Sequence, residues 1–182
     1  MKLYIAYGSN MNSNVIKSTA PNSIKVLSGY LDGYDLVFRG IPDCAYLSVE
    51  EKENKSIPVV LYLINDKDEK KLDKYESYPV LYKKIIKQFK IKIGAFSIKV
   101  NAMLYQMLEA YKINLPNDDY FNTCIKAYED LGLNTDILYS SFNDAEKIVK
   151  NRDDFGLPDV EISEEDYFDE PNFFQNKLRK RK

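Results

Sequence analysis

The hydrophobic pattern opens on a short β-rich stretch, Leu3 to Tyr7, broken at once by Gly8-Ser9-Asn10. A short helix is expected around Asn12 to Thr19, ending before Pro21. Ile24 to Phe38 predicts two extended stretches that turn near Asp32-Gly33. Tyr46 to Glu51 and Ile57 to Ile64 predict another strand pair, joined by a polar turn at Lys52 to Ser56. Asp66 to Tyr78 has the marks of a helix, with Asp66 as its cap, Glu69 as the capping-box partner and Pro79 as its stop. Two long strands follow, Tyr82 to Ile93 and Ala95 to Met107, turning at Gly94. Asn117 then caps a helix through Leu131, with Gly132 at the left-handed terminating position. A last helix is expected from Asn143, with Glu146 as capping partner, to about Asn151.

Composition changes after that helix. Glu161, Glu164, Glu165, Asp166, Asp169 and Glu170 form an acidic stretch, and Lys177, Arg179, Lys180, Arg181 and Lys182 a basic one. The organisation expected is therefore a body over 1–151 and an acidic, then basic, extension over 152–182. That extension reads as loosely docked, or alternatively as a partner-binding tail marked by Tyr167, Phe168, Phe173 and Phe174. Lys83, Lys84, Lys87, Lys90, Lys92 and Lys99 give the long strand pair a solvated, edge-protecting face rather than a nucleic-acid patch.

With 182 residues, 45% of them hydrophobic, the chain can bury a core without a metal or disulfide staple. A net charge of −2 argues against a general nucleic-acid binder. No apolar run approaches the roughly 20 residues of a membrane span, and Met1 to Tyr7 does not have the form of a signal peptide. The expected location is cytoplasmic, with Cys44 and Cys124 as reduced core thiols. Histidine is absent, which removes imidazole bases, Ser-His-Asp and Cys-His schemes and the usual zinc sites. Acid–base chemistry must rest on Asp, Glu, Lys or Tyr.

Two features invite that chemistry. Gly8, followed by small polar residues at a strand-to-helix turn, suits a loop whose backbone N–H groups hold a carboxylate or oxyanion; an ordinary turn has the same sequence. Neither a P-loop nor a dinucleotide fingerprint is present. On the helix before Pro79, Leu72, Tyr75, Glu76 and Pro79 share one stripe. If that stripe faces inward, Glu76 is a carboxyl among apolar neighbours, where the charged form is disfavoured and a proton shuttle is possible; if the stripe is displaced by one residue, Glu76 is solvated.

Taken in order, Tyr7-Gly8-Ser9-Asn10, Gly29-Tyr30-Leu31 to Phe38, Val59-Val60-Leu61-Tyr62, Leu72 to Pro79 with Leu81-Tyr82, Ala102 to Tyr105, Pro116 to Tyr120 and Leu131-Gly132-Leu133 resemble the γ-glutamylcyclotransferase (AIG2-like) family over about residues 3 to 133. The resemblance implies an α+β fold, a small mixed β-barrel flanked by helices. It implies an enzyme that cyclises a γ-glutamyl amide or peptide to 5-oxoproline, releasing the amine or amino acid. Glu76 is then the general acid/base. Tyr7, Gly8, Ser9 and Asn10 cradle the γ-glutamyl unit, and Tyr82 and Tyr120 line the pocket. No metal or other cofactor is implied, and the partner is the small-molecule substrate.

Many relatives have Gly where this chain has Ser77 and Val59, which bears on substrate choice. Two other functional classes share these residues: a non-catalytic module binding a small ligand in the same cavity, and a scaffold whose tail binds a partner.

Overall fold

The structure, a computed structural model, describes residues 1–42 and 44–154. The expectations for the acidic and basic stretches beyond Asp154 lie outside the described residues.

Five strands close a barrel in the order β1-β3-β2-β4-β5: β1 (Lys2–Ala6), β2 (Ile24–Ile41), β3 (Cys44–Ile64), β4 (Tyr82–Ile93) and β5 (Phe96–Met107). Neighbours are antiparallel except β1 and β5, which meet in parallel at Tyr4 and Met103. This is the mixed barrel the resemblance implies. Among the described residues four helices accompany it: α1 (Ser13–Thr19), α2 (Asp66–Glu76), α3 (Asp118–Asp130) and α4 (Asp136–Asp154).

Strand positions were legible, but two turns were not where the pattern put them. β2 and β3 are single long strands that form one antiparallel ribbon, reversing between Ile41 and Cys44. At Asp32-Gly33 the chain makes a bulge instead of a hairpin: Gly33 has φ +81° and the register shifts between Asp32 and Tyr34. Opposite it, the pairing passes from Tyr34–Glu51 to Asp32–Ser56, so Lys52 to Lys55 lie across from Gly33 alone and β3 carries the extra residues, with Asn54 at φ 61°. A bulge adds twist and bends the ribbon, so both halves of each strand wrap the same core. Phe38, Leu31, Leu47, Ile57 and Leu61 fill it.

Helix ends moved too, by a residue or two in α2 and by seven residues at the start of α4. Asn65, not Asp66, caps α2, and Asp68 rather than Glu69 completes the capping box. α4 begins at Asp136, so Asn143 and Glu146 are interior positions rather than caps. Asn12 and Asn117 do cap α1 and α3, and Gly132 has φ +66° after α3. Cys44 and Cys124 are free and buried.

Lys84 departs from the expected solvated face. Its side chain is only 13% exposed and reaches Glu69 Oε1 at 2.6 Å and Asp73 Oδ1 at 2.7 Å on α2. Tyr105 of β5 donates to the same Asp73 at 2.7 Å. Burial acts to raise the Glu69 carboxyl, but hydrogen bonds from Lys2 and Lys84 outweigh it and hold the group below its usual range. This cluster ties α2 to β4 and β5.

Candidate active site

The loop after β1 and the end of α2 converge on one cleft that is partly open to solvent. Tyr7, Gly8, Ser9, Asn10, Glu76, Tyr82 and Tyr120, the residues singled out in the sequence, all line it. Tyr4, Tyr46, Leu47 and Tyr105 complete the wall. These four escaped the sequence reading, although Tyr4 and Tyr105 carried a signal: phenols in otherwise buried strands need polar partners.

Glu76 is the last residue of α2 and is 8% exposed, so the inward-facing alternative holds. The stripe does not continue as expected. Ser77 turns into the left-handed region (φ 56°, ψ 42°) and ends the helix, leaving Pro79 exposed. Leu72, fully buried, anchors the inward face one turn earlier.

The loop delivers its side chains through a single 3₁₀ turn, Ser9–Met11, which opens at Gly8. Gly8, at φ −124°, is set apart by close approach rather than by a positive φ. A Cβ there would lie 3.3 Å from the Tyr120 hydroxyl and 3.5 Å from the Leu47 side chain. Ser9 Oγ lies 3.3 Å from the Tyr75 hydroxyl of α2.

Asn10, 4% exposed, joins the two features directly. Its Nδ2 donates to Glu76 Oε1 at 2.7 Å and to the Tyr4 hydroxyl at 3.0 Å, while its Oδ1 accepts from Thr19 Oγ1 at 3.0 Å. A carboxylate accepts only, so the amide nitrogen must face Glu76, and the Thr19 hydroxyl on the other side suits that orientation.

The tyrosines are held as neutral phenols. Burial first, and then the neighbouring Glu76 charge, push Tyr4 and Tyr7 well above their ordinary range. Tyr82 is pushed the same way, chiefly by burial. Several of their protons are committed inside the protein. Tyr7 donates to the Tyr105 carbonyl, and Tyr82 donates to the Leu47 carbonyl at 2.9 Å. Tyr120 accepts from the Leu47 N–H at 3.0 Å. Tyr128 of α3 donates to the Tyr7 carbonyl at 2.9 Å, tying the loop to the helix behind it.

The two departures from the family pattern lie outside this wall. Ser77 terminates α2, and Val59 is fully buried in the barrel, opposite Gly29. Among the described residues, no group of three or more His, Cys, Asp or Glu is placed to hold a metal ion. No helix there is long and apolar enough to cross a membrane.

The architecture recurs in solved structures. A protein described as a gamma-glutamyl cyclotransferase superposes with a TM-score of 0.66 at 14% identity, covering 98% of each chain. A human protein described as uncharacterized protein loc79017 gives 0.64 at 18% identity, over 77% of this chain and 85% of that one. YkqA from Bacillus subtilis gives 0.60 at 20% identity, over 86% of this chain and 55% of its own. At such identities the likeness defines a class of fold, the cyclotransferase-like barrel. Sequence then supplies the family: residues 4–122 match the model for gamma-glutamyl cyclotransferase, AIG2-like, and the chain belongs to that family. Among curated proteins no match is found.

Proposed function

We propose that this protein cyclises a small γ-glutamyl amide or peptide, forming 5-oxoproline and releasing the amine or amino acid, with Glu76 as general acid/base. The observation that supports the reading is the buried Glu76 carboxylate, held at 2.7 Å by Asn10 of the loop that the sequence resemblance assigns to the γ-glutamyl unit.

In this reading the substrate's α-amino group is the nucleophile and its γ-carbonyl the electrophile. Glu76 takes a proton from the α-ammonium; the freed nitrogen attacks the γ-carbon, the C=O electron pair moves onto oxygen, and the ring nitrogen, cationic after attack, gives its second proton to solvent, from which the departing amine later regains one. Collapse of that intermediate breaks the bond to the leaving nitrogen, which receives its proton from Glu76. Both reacting groups belong to one molecule, so much of the orientational entropy is lost before binding, and well-aligned intramolecular reactions gain several kcal/mol. One positioned carboxylate adds on the order of 10²- to 10⁴-fold. Neither a metal nor a covalent enzyme intermediate is required by this scheme.

The loop Tyr7 to Asn10 would seat the γ-glutamyl unit mainly through backbone N–H groups at the start of the 3₁₀ turn, as helix starts favour anions. Asn10 is better assigned to Glu76 than to substrate, because both its amide hydrogens are used inside the protein.

The test is incubation with a mixed γ-glutamyl library, with mass spectrometry of 5-oxoproline and the released amines. Release of matched pairs by the wild type supports the reading. Saturable binding of library members with no turnover would replace it with a ligand-binding role for the same cleft.

A further inference from the structure

We propose that Tyr4 is a further catalytic residue, whose phenolic hydrogen bonds to the γ-carbonyl oxygen as charge develops on it. The proposal rests on the cyclotransferase reading and follows from counting hydrogens around Asn10.

Asn10 Nδ2 has two hydrogens, one directed to Glu76 Oε1 and the other to the Tyr4 oxygen. The amide nitrogen has no lone pair to offer, so in the second contact Tyr4 can only accept. Its own hydrogen must therefore point away from Asn10, and among the described residues the structure provides it with no acceptor. Tyr7, Tyr82 and Tyr105 differ: each gives its hydrogen to a named protein oxygen, the Tyr105 carbonyl, the Leu47 carbonyl and the Asp73 carboxylate respectively. Tyr4 is thus a cleft-lining phenol that arrives with its acceptor side filled and its donor side uncommitted.

Placement assigns the substrate atom. The Tyr4 oxygen and Glu76 Oε1 flank a single nitrogen and both residues line the cleft, which brings a hydroxyl donor and the proposed proton-shuttling carboxylate to one site. Glu76 serves the two nitrogens bonded to the γ-carbon in the intermediate. The third heteroatom there is the former carbonyl oxygen, which needs a donor and no proton. The ring that carries the hydroxyl is fixed: it stacks with Tyr62 at 6.4 Å and meets Tyr105 edge-on at 5.9 Å. Burial keeps the phenol protonated, so it remains a donor throughout the cycle. No atom is transferred through Tyr4; the electron pair that moves to oxygen in the attack returns on collapse.

Tyr4→Phe in the full chain is expected to lower kcat by about 10²- to 10³-fold, as loss of one oxyanion donor does. KM and the melting temperature should change little. A graded series of fluorotyrosines at position 4 separates this role from a structural one, because kcat should track the acidity of the phenol. A folded Tyr4→Phe enzyme with kcat near wild type, or with only KM raised, overturns the proposal. So does a fluorotyrosine series with no trend, which decides the matter if Tyr4→Phe fails to fold. Glu76→Gln, assayed alongside, keeps the two ideas apart. If it is inactive while Tyr4→Phe is not, the cyclotransferase reading stands and the Tyr4 role falls. If the wild type itself releases no 5-oxoproline from any γ-glutamyl substrate, both fall.

Discussion

Glu76 and Gly8 make opposite demands on a substitution. In the proposed reaction Glu76 contributes a proton-exchanging atom, so Glu76→Gln should preserve shape and remove chemistry. We expect the variant to melt as the wild type does and to turn over at least about 10²-fold more slowly, measured by 5-oxoproline release. Gly8 contributes space. A valine there would press on the Tyr120 hydroxyl and the Leu47 side chain, where even a lone Cβ sits at 3.3 Å and 3.5 Å. Gly8→Val should abolish turnover and weaken binding of 5-oxoproline, whereas Ser9→Ala should lose at most about 1–3 kcal/mol, the cost of one hydrogen bond to a charged group. Calorimetric binding with matched melting curves checks the pair; a folded Gly8→Val protein that works normally would make the loop an ordinary turn. The identities of these residues were readable because glycine is scarce in this chain and a carboxylate on an apolar stripe is conspicuous. The role of Asn10 was not, since its partners Tyr4, Thr19 and Glu76 converge only in three dimensions.

Along α2, the end matters as much as the face. Ser77 occupies a left-handed cap in which a β-carbon is unfavourable by about 1–2 kcal/mol and glycine is the usual occupant. Ser77→Gly should therefore raise stability by roughly 1 kcal/mol, about 2–4 °C in Tm for a chain of this size, without loss of turnover. A melting temperature that falls would mean that the serine side chain is the better terminator. The same element shows why its own ends were misplaced by one or two residues. Asn65 and Asp66 are both good caps in isolation, and the choice between them depends on Asp68, which is fully buried and also accepts from the Asn22 side chain at 3.0 Å. The turns assigned at Asp32-Gly33 and Lys52 to Ser56 failed for a related reason. Polar and glycine residues mark a bend, but a bulge in a long ribbon and a hairpin turn use the same residues. Only the pairing of Ile41 with Cys44 separates them.

For the molecule as a whole, pH acts through two sets of groups with opposite signs. Glu69, Asp32 and Glu51 are held below their ordinary values of 4.5, 3.8 and 4.5, in each case by hydrogen bonds from lysines. Their contribution is present above those values and is lost as pH falls through the lowered ones. Tyr4, Tyr7, Tyr82 and Tyr128 are raised well above 10.0, first by burial. The unfolded chain releases these protons near pH 10 and the folded one does not, so stability falls as pH rises past that point. We expect tyrosinate absorbance to appear in two stages, exposed phenols titrating freely and the buried set only with cooperative loss of structure. Smooth titration of all the tyrosines in a chain that remains folded would contradict this.

The parallel contact between Tyr4 of β1 and Met103 of β5 carries a consequence for the chain as it is made. A ribosome releases β1 long before β5, so a nascent chain ending in β4 already holds Glu76 and the glycine loop but still has an unpartnered flank on its first strand. Exposed strand edges invite pairing with other chains, and the exposure lasts until the last stave of the barrel emerges. Tyr105 lies two residues beyond Met103, and Tyr120 follows on α3, so the cleft gains its remaining walls only as that edge is sealed. Vectorial synthesis thus couples protection from aggregation to completion of the cleft.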